Sequence, residues 1–414
     1  MSEHGDPQPE RALRLLVIGT GGRAYREYLL AAIGAAHEVH LLLGAEPTWE
    51  RPHLAGWTVL DLTDTVGAQE MVAAARALVP PPDGVLSWDE ARVLQVATVA
   101  AALGLPGGDP AAVLRCRDKR QTREALGAAG VPQPAWAAAR SVAEALAAAD
   151  RIGYPVVVKP RAMAASLGVV RVDGPDELAE RFGFARDITL PGAWRYDDVL
   201  VEELLTGPEV SVDCAVHRGR VHPLCVARKE VGYPPYFEEV GHVVDAADPL
   251  LTDPELLAVV QDAHTAVGLA DGMTHTELKL TPAGPKLVEV NARLGGDLIP
   301  YLGLRASGVD PGLAAAAVAC GRPPAVAPDR KQVAAVRFFY PDRQLTVAAV
   351  RFGPLPSTVD RAGPLVEPGE VVAPPPAGTL FGRLAFATAV AGTAPECAAA
   401  LAAAGAALQV EEAG

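Results

Sequence analysis

The stretch THTELKLTPAGPKLVEVN runs from Thr274 to Asn291. Two segments of alternating polarity flank Thr281-Pro282-Ala283-Gly284-Pro285, whose composition is that of a turn. A β-hairpin is predicted. Symmetric closure about Ala283 sets Glu277 against Glu289, His275 against Asn291 and Leu280 against Lys286. Side chains alternate between the two faces of a strand. His275, Glu277, Lys279, Glu289 and Asn291 therefore share one face, and Leu278, Leu280, Val288 and Val290 the other. Leu287 falls on the polar face as an exception. Directly opposed Cβ atoms lie ~4.5–5.5 Å apart, and like charges so placed are destabilising. A bridging divalent cation would remove the conflict. Two carboxylates and an amide oxygen are hard ligands, suited to Mg²⁺ or Mn²⁺ rather than zinc, and Mg²⁺ usually shares its shell with substrate phosphates. The other reading of these residues is a solvated polar face on which Lys279 softens the repulsion.

Working outward, Tyr154–Pro160 (YPVVVKP) reads as a buried strand that delivers Lys159 at its end. The loop Arg161–Gly168 (RAMAASLG) follows, and small side chains let backbone amides approach phosphates. A strand-end lysine can also simply lay its stem along apolar surface. Val199–Glu209 (VLVEELLTGPE) reads as a strand leaving through Leu205, a turn at Gly207-Pro208, and Glu209 at the start of the next strand. Such a connector can offer backbone groups to adenine and a carboxylate to ribose, or be only a connector.

Taken in order, Lys119, VVVKP, the small-residue loop, VEELLTGPE and E-x11-E-x-N resemble the ATP-grasp superfamily over roughly residues 90–300. Leu103–Gly107 and Arg117–Arg120 resemble the lead-in to the ATP-grasp domains of carboxylate–amine ligases. Tyr236–His242 (YFEEVGH) and Glu289–Gly296 (EVNARLGG) are similar to the L-amino-acid (dipeptide) ligase branch.

The resemblance implies an α/β fold: a doubly wound parallel N-terminal domain (1–112), ATP-grasp subdomains carrying the phosphate loop (113–198) and the metal site (199–325), and a lid-like α+β segment (326–414). It implies ATP and Mg²⁺ as cofactors, with Mn²⁺ able to substitute. Lys119 and Lys159 would contact the ATP phosphates, with Ser166 and Gly168 in the phosphate loop. Glu202 and the Leu205 backbone would hold adenine, and Glu209 ribose. Glu277, Glu289 and Asn291 would hold the metal. Arg293 would sit where charge develops during acyl transfer, with Lys159 as its catalytic companion. His242, His275, Gly296 and Asp297 would meet the substrates. For Asp297 a second role is open, as the N-cap of a helix expected over Leu298–Leu304. Gly168 is the single glycine of a loop in which many relatives have several.

The implied activity is that of an ADP-forming ligase. It would phosphorylate a carboxylate, of an amino acid or small peptide-like acid, and couple the acyl phosphate to an amine. The alternatives are a carboxyphosphate-forming enzyme of purine or biotin type and a non-catalytic nucleotide binder. The expected partners are a small-molecule acid and amine, with assembly as a homodimer.

Composition narrows the classes further. Half of the 414 residues are apolar, and 36 Lys and Arg face 50 Asp and Glu, a net charge of −14. That balance argues against a general binder of nucleic acid or anionic membrane, which relies on neutralising phosphates. The five cysteines include no CxxC pair, which fits a reducing cytoplasm. Residues 1–10 lack the basic-then-apolar order of a signal peptide, and no apolar run approaches the ~18 residues of a membrane span. Arg14–Gly19, Val39–Leu43 and Gly84–Ser87 read as strands alternating with helices over 23–36 and Asp89–Leu103, the pattern of a parallel sheet. Gly19–Ala24 fits a dinucleotide-binding glycine turn, with Glu46 near a ribose position. The favoured reading is a tight turn, or one that touches another small ligand, because the ATP features downstream are stronger. The Ala-rich stretches Ala137–Ala149 and Ala398–Ala407 read as helices.

Overall fold

The computed structural model describes residues 11–63, 68–189 and 196–413. The stretch 1–10, read above against a signal peptide, lies outside them. Among the described residues no helix is long and apolar enough to cross a membrane.

The N-terminal sheet is parallel, in the order Gly56–Val59, Glu38–Leu43, Arg14–Ile18, Gly84–Leu86. Its central strand RLLVI is apolar because both faces are covered. Leu15 and Val17 pack against helix Arg23–Ala36 through Leu29, Leu30 and Ile33, whereas Leu16 and Ile18 pack against Met71, Ala75, Val99 and Ala100. The first of these layers also holds Ala314–Ala316 of helix Pro311–Ala319, so a much later segment helps close the N-terminal sheet. The helix expected from Asp89 starts at Val93, which leaves Asp89–Arg92 as a turn before it.

A second sheet is antiparallel, in the order Trp136–Ala139, Val199–Glu203, Val156–Pro160, Val170–Val172. Helices Val142–Ile152 and Pro175–Asp187 bury its apolar face. Ala137–Ala149 is therefore not one helix. Trp136–Ala139 is a strand, and Ser141 accepts a hydrogen bond from the Glu144 N–H (3.2 Å) to start the helix. A serine at this position caps a helix better than it continues one.

The largest sheet runs Gly284–Asn291, Gly272–Thr281, Glu209–His217, Arg220–Gly232, Glu238–Asp245, Val333–Phe339, Ala385–Ala391, Val359–Pro364. The last three strands come from the expected lid-like segment and extend the same sheet through the pairing of His242 with Val336. In the hairpin, Glu277 opposes Glu289 and His275 opposes Asn291, as symmetric closure predicts. A β-bulge then shifts the register between Glu277 and Leu278, so that Leu278 opposes Leu287, and Leu280 opposes Pro285 instead of Lys286. The extra residue turns Leu287 into the core, where it is fully buried, and leaves Val288 on the opposite side, in the wall of a cavity. The apparent exception at Leu287 is resolved by one inserted residue.

Candidate active site

The cavity lies between the second sheet and the largest sheet, and both contribute to its wall. Val156–Pro160 ends by presenting Lys159, and the neighbouring strand Val199–Glu203 presents Glu202 from the register position beside Val157. The Lys159 Nζ lies 2.8 Å from Glu202 Oε2. On its other side Glu202 receives both arms of Arg123, at 2.8 and 3.0 Å. Burial works to raise the Glu202 pKa, but Arg123 and Lys159 outweigh it and hold the carboxyl at about 2. Burial dominates at Lys159 and pulls its pKa down to about 8. The Glu202 carboxylate thus faces two cations within the wall.

Lys119 opens helix Lys119–Ala129, whose N-cap is Asp118. Its Nζ donates to the Met163 carbonyl at 2.5 Å and lies 3.0 Å from Glu289 Oε1, joining the small-residue loop to the hairpin. Arg161, at the root of the loop, pairs with Asp118 at 2.6 Å and Asp198 at 3.0 Å. Ala165, Ser166 and Gly168 all have positive φ. A Cβ on Gly168 would stand 2.7 Å from Ile188 Cγ2 and 3.1 Å from the Pro160 ring, so this position takes no side chain without a shift. Ser166 and Leu205 line the cavity.

Glu209 begins the strand Glu209–His217, and its oxygens lie 3.2 Å from Lys229 and 2.9 Å from Lys279. Lys279 is therefore engaged by Glu209. The charges of the opposed Glu277 and Glu289 are met by Lys229, 2.8 Å from Glu277, and by Lys119. Lys229 also lies 2.9 Å from Glu239. Burial opposes its charge, but the three carboxylates outweigh it and raise its pKa well above the ordinary value. His275 lies 2.6 Å from Asp213 through Nδ1 and 3.2 Å from Glu277 through Nε2. Burial would lower its pKa, yet these hydrogen bonds raise it to about 9. Glu277, Glu289 and the buried Asn291 form an oxygen-only donor set on adjacent strands, which fits Mg²⁺.

A second cavity adjoins the first, and Ala164, Ala165, Glu239, Glu277 and Arg293 belong to both walls. Arg293 Nε donates to Glu90 at 2.5 Å, and Arg117 approaches Glu90 at 3.5 Å. Gly296, Asp297 and His275 also line this cavity. Asp297 is not a helix cap: Leu298 holds the N-cap position of Ile299–Ser307, without a side-chain cap. The Asp297 carboxylate accepts both arms of Arg383 at 2.7 Å instead, with His242 Nε2 3.4 Å away. Burial opposes its ionisation, but Arg383 and His242 keep the carboxyl well below the usual range. His242 is itself buried and lies 3.2 Å from Glu239. Gly21 and Gly22 of the N-terminal glycine turn reach this cavity, while Glu46 stays exposed against Trp57 and Arg51.

Sequence reasoning missed Arg123, Asp213, Lys229, Glu90 and Arg383. Two had a signal. Arg123 lies four residues after Lys119, on the same face of one helix. Asp213 is a charged residue in the middle of the otherwise buried strand Glu209–His217, which pairs with the hairpin and sets it directly opposite His275. The other three meet the site through long-range packing.

Residues 152–300 match the ATP-grasp domain family. Over 307 residues the chain is 31% identical to phosphoribosylamine–glycine ligase of Mycobacterium tuberculosis, covering 68% of each. It is 29% identical over 334 residues to carnosine synthase 1 of Homo sapiens, covering 76% of this chain and 40% of that protein. It spans 36–59% of the length of the first curated relatives it matches. The crystal structure of L-amino acid ligase from Bacillus licheniformis superposes with a TM-score of 0.79 at 24% identity, covering 98% of this chain and 100% of that one, which shows a shared fold. With adjoining cavities, an oxygen-only donor set and these sequence matches, the chain belongs to the ATP-grasp superfamily.

Proposed function

We propose that the protein is an ADP-forming ligase that phosphorylates a substrate carboxylate with ATP and joins the resulting acyl phosphate to an amine. One observation carries the reading: the cavity with the lysines and the paired carboxylates adjoins a second one, and Arg293 stands in the wall they share. Adenine is assigned to the side lined by Leu205 and Val288, and ribose to the side of Glu209. Lys119, Lys159 and the loop around Ser166 and Gly168 are assigned to the phosphates. Glu202 acts here by holding Lys159 and Arg123, beside its expected place near adenine. Glu277, Glu289 and Asn291 would hold Mg²⁺, which neutralises phosphate charge when bound.

The chemistry needs two displacements. A carboxylate oxygen attacks the γ-phosphorus in line and ADP departs. The amine then attacks the acyl carbon, the tetrahedral oxyanion collapses, and inorganic phosphate leaves. An amine cannot expel oxide from a free carboxylate, which is why the first step is required. Arg293 faces the shared wall, where a guanidinium can stabilise the oxyanion. Glu90 fixes its direction. The small-residue loop covers the site and keeps water from the acyl phosphate.

The test is a panel of acids and amines with MgATP, scored for ADP, phosphate and product mass. Equal amounts of amide, ADP and phosphate, dependent on both substrates, are expected. AMP and pyrophosphate would contradict the mechanism, and ADP release that depends on bicarbonate would point to carboxyphosphate chemistry.

A further inference from the structure

The second cavity carries many charges, and nearly all of them are spent within the protein. Asp297 takes the fork of Arg383, and Glu239 takes Lys229 and His242. Glu277 takes Lys229 and His275, and Glu90 takes Arg293. Glu238 accepts from the Tyr340 hydroxyl. Asp297, expected to meet a substrate, is therefore already neutralised, which leaves little unpaired negative charge on this wall.

Arg26 is different. It lies on helix Arg23–Ala36, lines the second cavity and donates one hydrogen bond, from Nη1 to the Gly295 carbonyl at 3.1 Å. Among the described residues no carboxylate oxygen lies within ion-pair distance of it. Desolvation is the main influence opposing its charge; Arg293 adds to it, while Tyr28 and, from farther off, Asp213 and Asp89 act the other way. A guanidinium offers five N–H donors in a fork matched to a carboxylate. One of the five is used here. Arg26 is half-buried in the wall of the cavity, so its remaining donors are open to a ligand there, and a second cation nearby favours an anion between them. Beside Arg26 stand Gly21 and Gly22, which place no side chain between it and the cavity.

We infer that Arg26 anchors a substrate carboxylate that takes no part in bond formation. The inference rests on the ligase reading for its substrates. The anchored group has two sources of the same chemistry: the α-carboxylate of an amino-acid acceptor, or the distal carboxylate of a dicarboxylic donor. In either case Arg26 holds the spare carboxylate while the reacting end of that substrate reaches Arg293. This gives the N-terminal glycine turn and its helix a part in substrate selection, with no dinucleotide involved.

The experiment uses the full chain with MgATP. Acceptor L-amino acids are compared with their carboxamides, and dicarboxylic donors with their half-amides. The wild type is expected to prefer the free acid at least tenfold in kcat/KM in one of the two series, and that series identifies the source. Arg26→Gln removes the preference, chiefly through the KM of the acid form, while the KM for ATP stays within twofold. Arg26→Lys retains part of it and carries the test if the glutamine variant does not fold. No preference in the wild type, or an equal loss on both forms in the variant, overturns the inference. If no acid–amine pair yields product, the ligase reading fails. Calorimetry with L-alanine, succinate, alaninamide and succinamate in MgADP then decides the subsite alone. Carboxylate binding that is lost in Arg26→Gln supports it. Binding that is unchanged in the variant, or absent from the wild type, overturns it.

Discussion

Glu202 is held between a guanidinium and an ammonium, all three groups buried. Removing one partner of such a set strands the others, at a cost of about 3–5 kcal/mol. Glu202→Gln is expected to lose about that much stability in urea unfolding, and Arg123→Met in the same chain to recover most of it. The pH dependence has two opposite windows. Glu202 is depressed to about 2, so its contribution is present above the ordinary carboxyl range and is lost as pH falls toward 2. Lys159 is depressed to about 8, so the unfolded chain binds the extra proton above that pH and stability rises from about pH 8 toward 10.5. The same deprotonation removes a charge that the proposed function assigns to the ATP phosphates, so the KM for ATP is expected to rise as pH passes about 8 in steady-state assays. Lys159→Met should abolish that pH step; its persistence would assign it to another group. At this scale the gathering of Lys119, Lys159, Glu277, Glu289 and Asn291 around one cavity was legible, the carboxylates from the hairpin alternation and the two lysines from the order of the motifs along the chain. Lys229 was not: three carboxylates from three strands surround it, and no local spacing records their convergence.

The hairpin is the element on which the site depends. Alternation alone placed Leu287 among the polar residues and Val288 in the core, and one bulge reverses both. Bulges leave no periodic mark, since they interrupt the period itself. The reversal makes a paired prediction. Leu287→Ala should cost about 2–5 kcal/mol as a core truncation, with little direct effect on nucleotide affinity. Val288→Ala should cost much less stability and raise the KM for ATP severalfold, because Val288 faces the cavity. Urea unfolding and ATP titration of both variants check it, and the opposite pattern would restore the unbulged register. Elsewhere the helix expected over 23–36 followed the sequence closely, because Leu29, Leu30 and Ile33 recur at helical spacing on its buried face. Ala137–Ala149 was misread because alanine is at home in either state when packing decides, and only Ser141 marks the break.

Across the whole molecule, Leu380 and Arg383 from the C-terminal segment complete the second cavity. Arg383 reaches Asp297, the Glu239 carbonyl and the Tyr340 hydroxyl, and stacks 3.8 Å over the Phe338 ring. That link spans the order of the sheet, so sequence could suggest a lid-like piece without showing which residue it inserts. Arg383→Met is expected to destabilise by about 3 kcal/mol, because the half-buried Asp297 is left with His242 as its remaining partner. Asp297→Leu in the same chain should restore much of that loss. In both variants substrate KM values should shift while the KM for ATP holds, which kinetics on a working acid–amine pair would show. The central claim is that the two adjoining cavities pass a phosphoryl group from ATP to a carboxylate before the amine attacks. Its most direct test is a reaction run with the acid labelled with ¹⁸O in its carboxylate, followed by mass analysis of the products. One labelled oxygen per turnover in the released inorganic phosphate is the expected result. Label in AMP, or phosphate free of label while amide accumulates, would contradict it.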